Sequence, residues 1–212
     1  MASINASILN TGVITTGDAT GILQLQSNGV TGLTLSNTAN VTVDTNLTVS
    51  GYEVKPIVSG TVQVATGAAN IDFTGIPNWV KKITVMVRGI STTGASHYII
   101  RLGTSGGYVA TNYLGSSTNF GGAGTGSAEA HTTGFGFSGD IIAGSIYTGI
   151  LVIVNMTDTV WVASGSGCFT DSPYSSTSGG AVDAGGVVTS IRLTTVNGTD
   201  LFDAGSINIL YE

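Results

Sequence analysis

The side chains able to do chemistry are few in this chain of 212 residues, and their spacing is poor for it. There are two histidines, His97 and His131, and one cysteine, Cys168. A metal site would need His-x-His, HExxH or CxxC spacing, and none occurs. Serine is plentiful, yet no G-x-S-x-G elbow presents one as a nucleophile, and an all-β context argues against the fold that carries it. Asp200 and Asp203 in VNGTDLFDAGS, with Asp171 and Asp183 upstream, offer oxygens for calcium, but not at EF-hand spacing. The run GGAGTG at 121–126 lacks the Lys-Ser/Thr and the helix that a phosphate loop requires. No cofactor, metal or catalytic set is expected, and the lone thiol excludes an intrachain disulfide.

What stands out instead is a set of aromatic residues in two Gly/Ser/Thr-rich stretches, 103–129 and 165–186, read as long loops. Tyr108, Tyr113 and Phe120 fall in the first, Phe169 and Tyr174 in the second. Aromatic faces with neighbouring Asn, Ser and Asp suit carbohydrate C–H faces and hydroxyls, so these five are the candidate receptor-binding residues. The competing reading is that they pin their loops to the body of the domain or pack between subunits.

The elements that would position them are all strands. Charged residues make up 8% of the chain and Gly accounts for 32 positions, so the surface must be uncharged and polar. With a net charge of -6 there is no basic stripe to follow a phosphate backbone, and nucleic acid is not an expected partner. MASINASILNTG has neither a basic n-region nor an apolar h-region, and no segment approaches the roughly 18 apolar residues of a membrane helix. The expectation is a protein made in a cytoplasm without membrane insertion.

The expected fold is all-β. Residues 1–21 read as an irregular leader. Residues 22–56 form a stalk of short strands near 22–26, 33–35, 41–43 and 47–49, with a linker from Gly51 to Pro56. In LTLSNTANVTVDTNLTVSG the pairs Leu33 and Leu35, Val41 and Val43, and Leu47 and Val49 alternate with polar residues, so each strand has one thin apolar face. Two such residues per strand make no core alone, and the expected cover is another copy of the same segment. Residues 57–212 read as an antiparallel β-sandwich or jelly roll, with strands near 58–65, 69–73, 82–90, 97–102, 130–137, 148–154, 159–164, 187–194 and 206–211. Arg88 and Arg101 lie among apolar neighbours and are expected to pair with carboxylates or loop carbonyls.

The segments MASINASILNTGVITTGDATGILQLQSNGVTGLTLS and NVTVDTNLTVSG resemble the N-terminal part of tailed-bacteriophage virion proteins of the tail-fibre-like family. FTGIPNWVKKITVMVRGISTTGASHYIIRLG and the end LFDAGSINILYE resemble the C-terminal domain of those proteins. The resemblance implies a phage structural protein, not an enzyme, located in the virion. It implies a homotrimer that holds other virion proteins through residues 1–21 and projects its β-domain. Leu33, Leu35, Val41, Val43, Leu47 and Val49 would then be the trimer core. Two roles fit: a short tail fibre whose distal domain binds a host surface glycan, which is favoured, or a trimeric capsid decoration (cement or head-fibre) protein. A glycan depolymerase is disfavoured because no paired carboxylates are spaced for it.

Overall fold

The computed structural model describes residues 22–27, 30–36, 41–43, 47–49, 52–121, 124, 126–139 and 141–212. The leader over residues 1–21 lies outside the described residues, as does part of the glycine run at 121–126. Every regular element among the described residues is a strand, and every pairing is antiparallel. The chain divides into two compact units, Met1–Lys55 and Pro56–Glu212.

The first unit holds β1 (Leu23–Ser27), β2 (Val30–Leu35) and β3 (Val41–Val43) in one sheet, and β4 (Thr48–Val49) with β5 (Tyr52–Glu53) as a separate ribbon. Register sets Leu33 opposite Val43 and Leu35 opposite Val41, so these four share a face. That face is open: Leu33 and Val43 are half-buried, while Leu35 and Val41 are exposed, Val41 at 60%. Leu47 and Val49 in the ribbon are exposed as well. Of the six apolar residues proposed as a core, Leu35, Val41, Leu47 and Val49 are exposed among the described residues.

In the second unit the strands are β6 (Val58–Ser59), β7 (Gln63–Val64), β8 (Ile71–Thr74), β9 (Lys82–Thr92), β10 (Tyr98–Thr104), β11 (Gly107–Tyr108), β12 (Leu114–Gly121), β13 (Gly126–His131) and β14 (Phe135–Gly136). They continue with β15 (Tyr147–Thr157), β16 (Val160–Phe169), β17 (Tyr174–Asp183), β18 (Ser190–Thr195) and β19 (Phe202–Tyr211). One sheet runs β13-β12-β17-β16-β15-β9-β19-β6, with β7 also on β19. The other runs β11-β10-β18-β8, with β14 on β10.

Alternation explains how they pack. In β9 the residues Ile83, Val85 and Val87 are buried while Thr84 and Met86 between them are only half-buried, so one face of the sheet looks inward. Ile83, Val85 and Leu151 from the larger sheet join Tyr98, Ile100, Leu102 and Ile191 from the smaller in one core. This is an antiparallel β-sandwich. Trp79 closes one end, its ring 6.2 Å from that of Tyr211. On the far side of the smaller sheet Arg101 donates from Nε to the Thr133 carbonyl at 2.9 Å, capping a loop as its apolar setting required.

The structure corrects the two long loops. The stretch 103–129 contains β12 and most of β13, and 165–186 contains the end of β16 and all of β17. These strands escape a hydrophobicity pattern because their inward positions are polar: Ser117, Asn119 and Ser176 are all buried. Their hydrogen-bonding groups are satisfied inside. Ser176 Oγ lies 2.8 Å from the Tyr147 hydroxyl, and Asn119 Oδ1 accepts from the Gly139 N–H at 2.9 Å.

Candidate functional site

Three segments meet at one end of the larger sheet. The hairpin of β12 and β13 sets Asn119 opposite Ser127. The turn from β16 to β17 carries Phe169, Ser172 and Tyr174, with the Tyr174 N–H donating to the Ser172 carbonyl at 2.9 Å. A loop containing Ile142 and Ser145 crosses beside them, tied down by the Thr170 N–H on the Ile146 carbonyl at 2.8 Å and by Gly139 on Asn119. Between them is an open groove of about 340 Å³ lined by Asn119, Gly126, Ser127, Ile142, Ser145, Phe169, Ser172 and Tyr174.

The chemistry of this groove follows from its lining. Phe169 forms a buried floor and Tyr174 a partly exposed wall. Tyr174 fits where it does because Gly121 is its cross-strand partner and has no side chain to displace the ring. Among the described residues of the lining, three serine hydroxyls and an amide supply donors and acceptors, and none carries a carboxylate or an ammonium group. Such a groove suits a neutral, hydroxyl-rich ligand with an apolar face.

Of the five aromatics selected from the sequence, the structure brings only Phe169 and Tyr174 together. Tyr113 is a core residue: its hydroxyl accepts from the Leu102 N–H at 2.8 Å and its ring meets Phe135 edge-on at 5.0 Å. That position withdraws it from any receptor surface. Tyr108 lies on the smaller sheet with its ring 4.0 Å from the Arg192 guanidinium carbon, and burial raises its hydroxyl above the ordinary tyrosine value. Phe120 is exposed, but it follows Asn119 in the strand and so points to the opposite face of the sheet. Sequence reasoning missed Asn119, Ser127, Ile142, Ser145 and Ser172. The one available signal was the period of two in Ser117-x-Asn119, a strand pattern written in polar residues.

The groups that raised catalytic or metal chemistry are placed as follows. Ser117 donates to the Ser138 carbonyl, so His131 Nε2 must donate to Ser117 Oγ, 2.6 Å away, leaving Nδ1 as the ring's acceptor. Both side chains are buried, and among the described residues Nδ1 meets no hydrogen-bonding partner, so none of their carboxylates orients the ring as one orients a catalytic histidine. Burial, reinforced by His97 with its ring 5.8 Å away, holds the His131 imidazole below its ordinary value. Asp200 accepts from the Ser96 N–H at 3.0 Å and from Asn197 at 2.7 Å, Asp203 accepts from Ser91, and Asp183 accepts from the Gly185 N–H at 2.9 Å. These carboxylates each fasten a local contact. Among the described residues no group of three or more His, Cys, Asp or Glu could hold a metal ion.

No protein-family model matches the chain, and neither a curated protein nor a solved structure is significantly similar to it.

Proposed function

We propose that this chain is a non-enzymatic structural protein of a bacteriophage virion, a homotrimer attached to the particle through residues 1–21. In this reading the β-sandwich projects and its neutral groove engages a host surface glycan. One observation carries it: the first unit presents an apolar sheet face on which, among the described residues, Leu35 and Val41 are exposed. Three copies arranged about an axis would bury those residues. Burial of two such side chains contributes ~3–6 kcal/mol per strand before ordering costs. The resemblance of both ends of the sequence to fibre-like virion proteins points the same way.

A second reading, a trimeric decoration protein bracing the capsid, is favoured by the brevity of the short-strand region, which runs only from Leu23 to Glu53. Immunogold labelling of intact virions with an antibody against residues 57–212 separates the two. Gold at the tail supports the fibre, gold spread over the head supports decoration, and purified virions without gold overturn the proposal.

A further inference from the structure

The sandwich buries the inner face of the larger sheet, and the register fixes what lies on the outer one. Across β12, β17, β16 and β15 one row sets Leu114 beside Ala181, Val162 and Val154. The next two rows bring Val152 and Ile150 of β15 beside Thr84 and Met86 of β9. Ile150 is 48% exposed and Leu114 77%. Between the apolar positions stand hydroxyls, among them Thr118 and Thr177, whose oxygens are 3.2 Å apart. A single charged side chain falls in these rows, Lys82, and Glu212 of the same chain neutralises it.

This surface selects its partner by charge. A nucleic acid or an acidic partner would find there only Lys82, already paired with Glu212, to offset the loss of its hydration. A net charge of -6 sets a weak mutual repulsion between copies of this chain, so self-association is favoured at rows that carry no unpaired carboxylate. Hydroxyls both donate and accept, so two copies of the same Ser/Thr surface can satisfy each other, while two like-charged surfaces cannot.

We propose that the outer face of the larger sheet, centred on Ile150 and Val152, packs against the sandwich of another copy of this chain. The inference rests on the self-association proposed above and goes beyond it, since it assigns the second unit an interface of its own.

The only cysteine in the sequence provides the probe. Cys168 is exposed and lies on the same outer face, two residues beyond Ser166 on β16. The full chain, spin-labelled at Cys168, is measured for mass by analytical ultracentrifugation and for dipolar coupling between labels. The same is done for Ile150→Lys. The expected result is an oligomer whose labels are coupled, with coupling lost in the variant. An oligomer with uncoupled labels, or with coupling that Ile150→Lys leaves unchanged, overturns the sheet interface and leaves the proposed trimer standing. A monomer overturns both. Should Ile150→Lys fail to fold, Ser164→Lys, at an exposed polar position in the middle row, makes the same test.

Discussion

The ring of Tyr174 lies across Gly121 so closely that a Cβ added there would stand 2.4 Å from the tyrosine Cε1. The groove wall therefore depends on the absence of a side chain on the neighbouring strand. Gly121→Ala should push the ring off its seat and weaken binding of neutral oligosaccharide about as much as Tyr174→Ala does, roughly 10-fold or more for loss of a stacked aromatic contact. Because Tyr174 is partly exposed, unfolding free energy should change by about 0.5 kcal/mol or less in Tyr174→Ala. Glycan-array binding and urea unfolding of both variants check this, and unchanged binding with an intact fold would remove the groove from consideration.

Three buried tyrosines give the sandwich a limit at high pH. Burial pushes Tyr98, Tyr113 and Tyr147 up to about 12, from 10 in the unfolded chain. Between those values the unfolded state has released protons that the folded state retains, so stability is complete below pH 10 and falls as pH rises toward 12. Each tyrosine contributes a slope of up to about 1.4 kcal/mol per pH unit in that window. Tyr147→Phe should flatten the slope. It should also cost about 1–3 kcal/mol at neutral pH, because Ser176 Oγ and the Phe137 carbonyl lose the hydroxyl they share. Urea unfolding across alkaline pH measures both effects.

What the sequence disclosed depended on which side chains fill the interior. β9 was legible because Ile83, Val85 and Val87 alternate with polar or partly exposed neighbours. β12 and β17 were not, because Ser117, Asn119 and Ser176 occupy their inward positions and glycines occupy others. Gly167 on the adjacent β16 shows the same effect: a Cβ there would stand 2.2 Å from the Tyr147 hydroxyl, so the space is filled by a tyrosine from the neighbouring strand. A strand can thus be buried while its own residues carry almost no apolar signal. Likewise Phe169 and Tyr174 could be selected by type, but their meeting with Asn119 and Ile142 joins segments that only the strand order brings together.

A different pH limit comes from His131, which burial holds neutral in the folded protein. As pH falls below the unfolded value of 6.5, the unfolded chain gains a proton before the folded one does, so stability present above that pH is lost on acidification. Ser117→Ala should cost about 1–3 kcal/mol at pH 7, since it strands the His131 Nε2–H and the Ser138 carbonyl in the interior. Chemical-denaturant unfolding between pH 5 and 8 checks the sign. Stability that rises on acidification would contradict the burial of the neutral imidazole.

On the far side of the smaller sheet, Arg192 holds Asp72 with two parallel bonds of 2.7 Å, and the Tyr108 ring covers the guanidinium at 4.0 Å. Asp72 raises the Arg192 value, and the pair bridges adjacent strands at a partly exposed position. Arg192→Lys keeps the charge but cannot make both bonds or stack flat on the tyrosine. The expected loss is about 1 kcal/mol. Salt separates its origins: screening removes simple charge attraction, which lysine preserves, so the difference between arginine and lysine should persist at 1 M salt. If the two proteins become equally stable there, the fork and the stacked ring contribute nothing beyond charge.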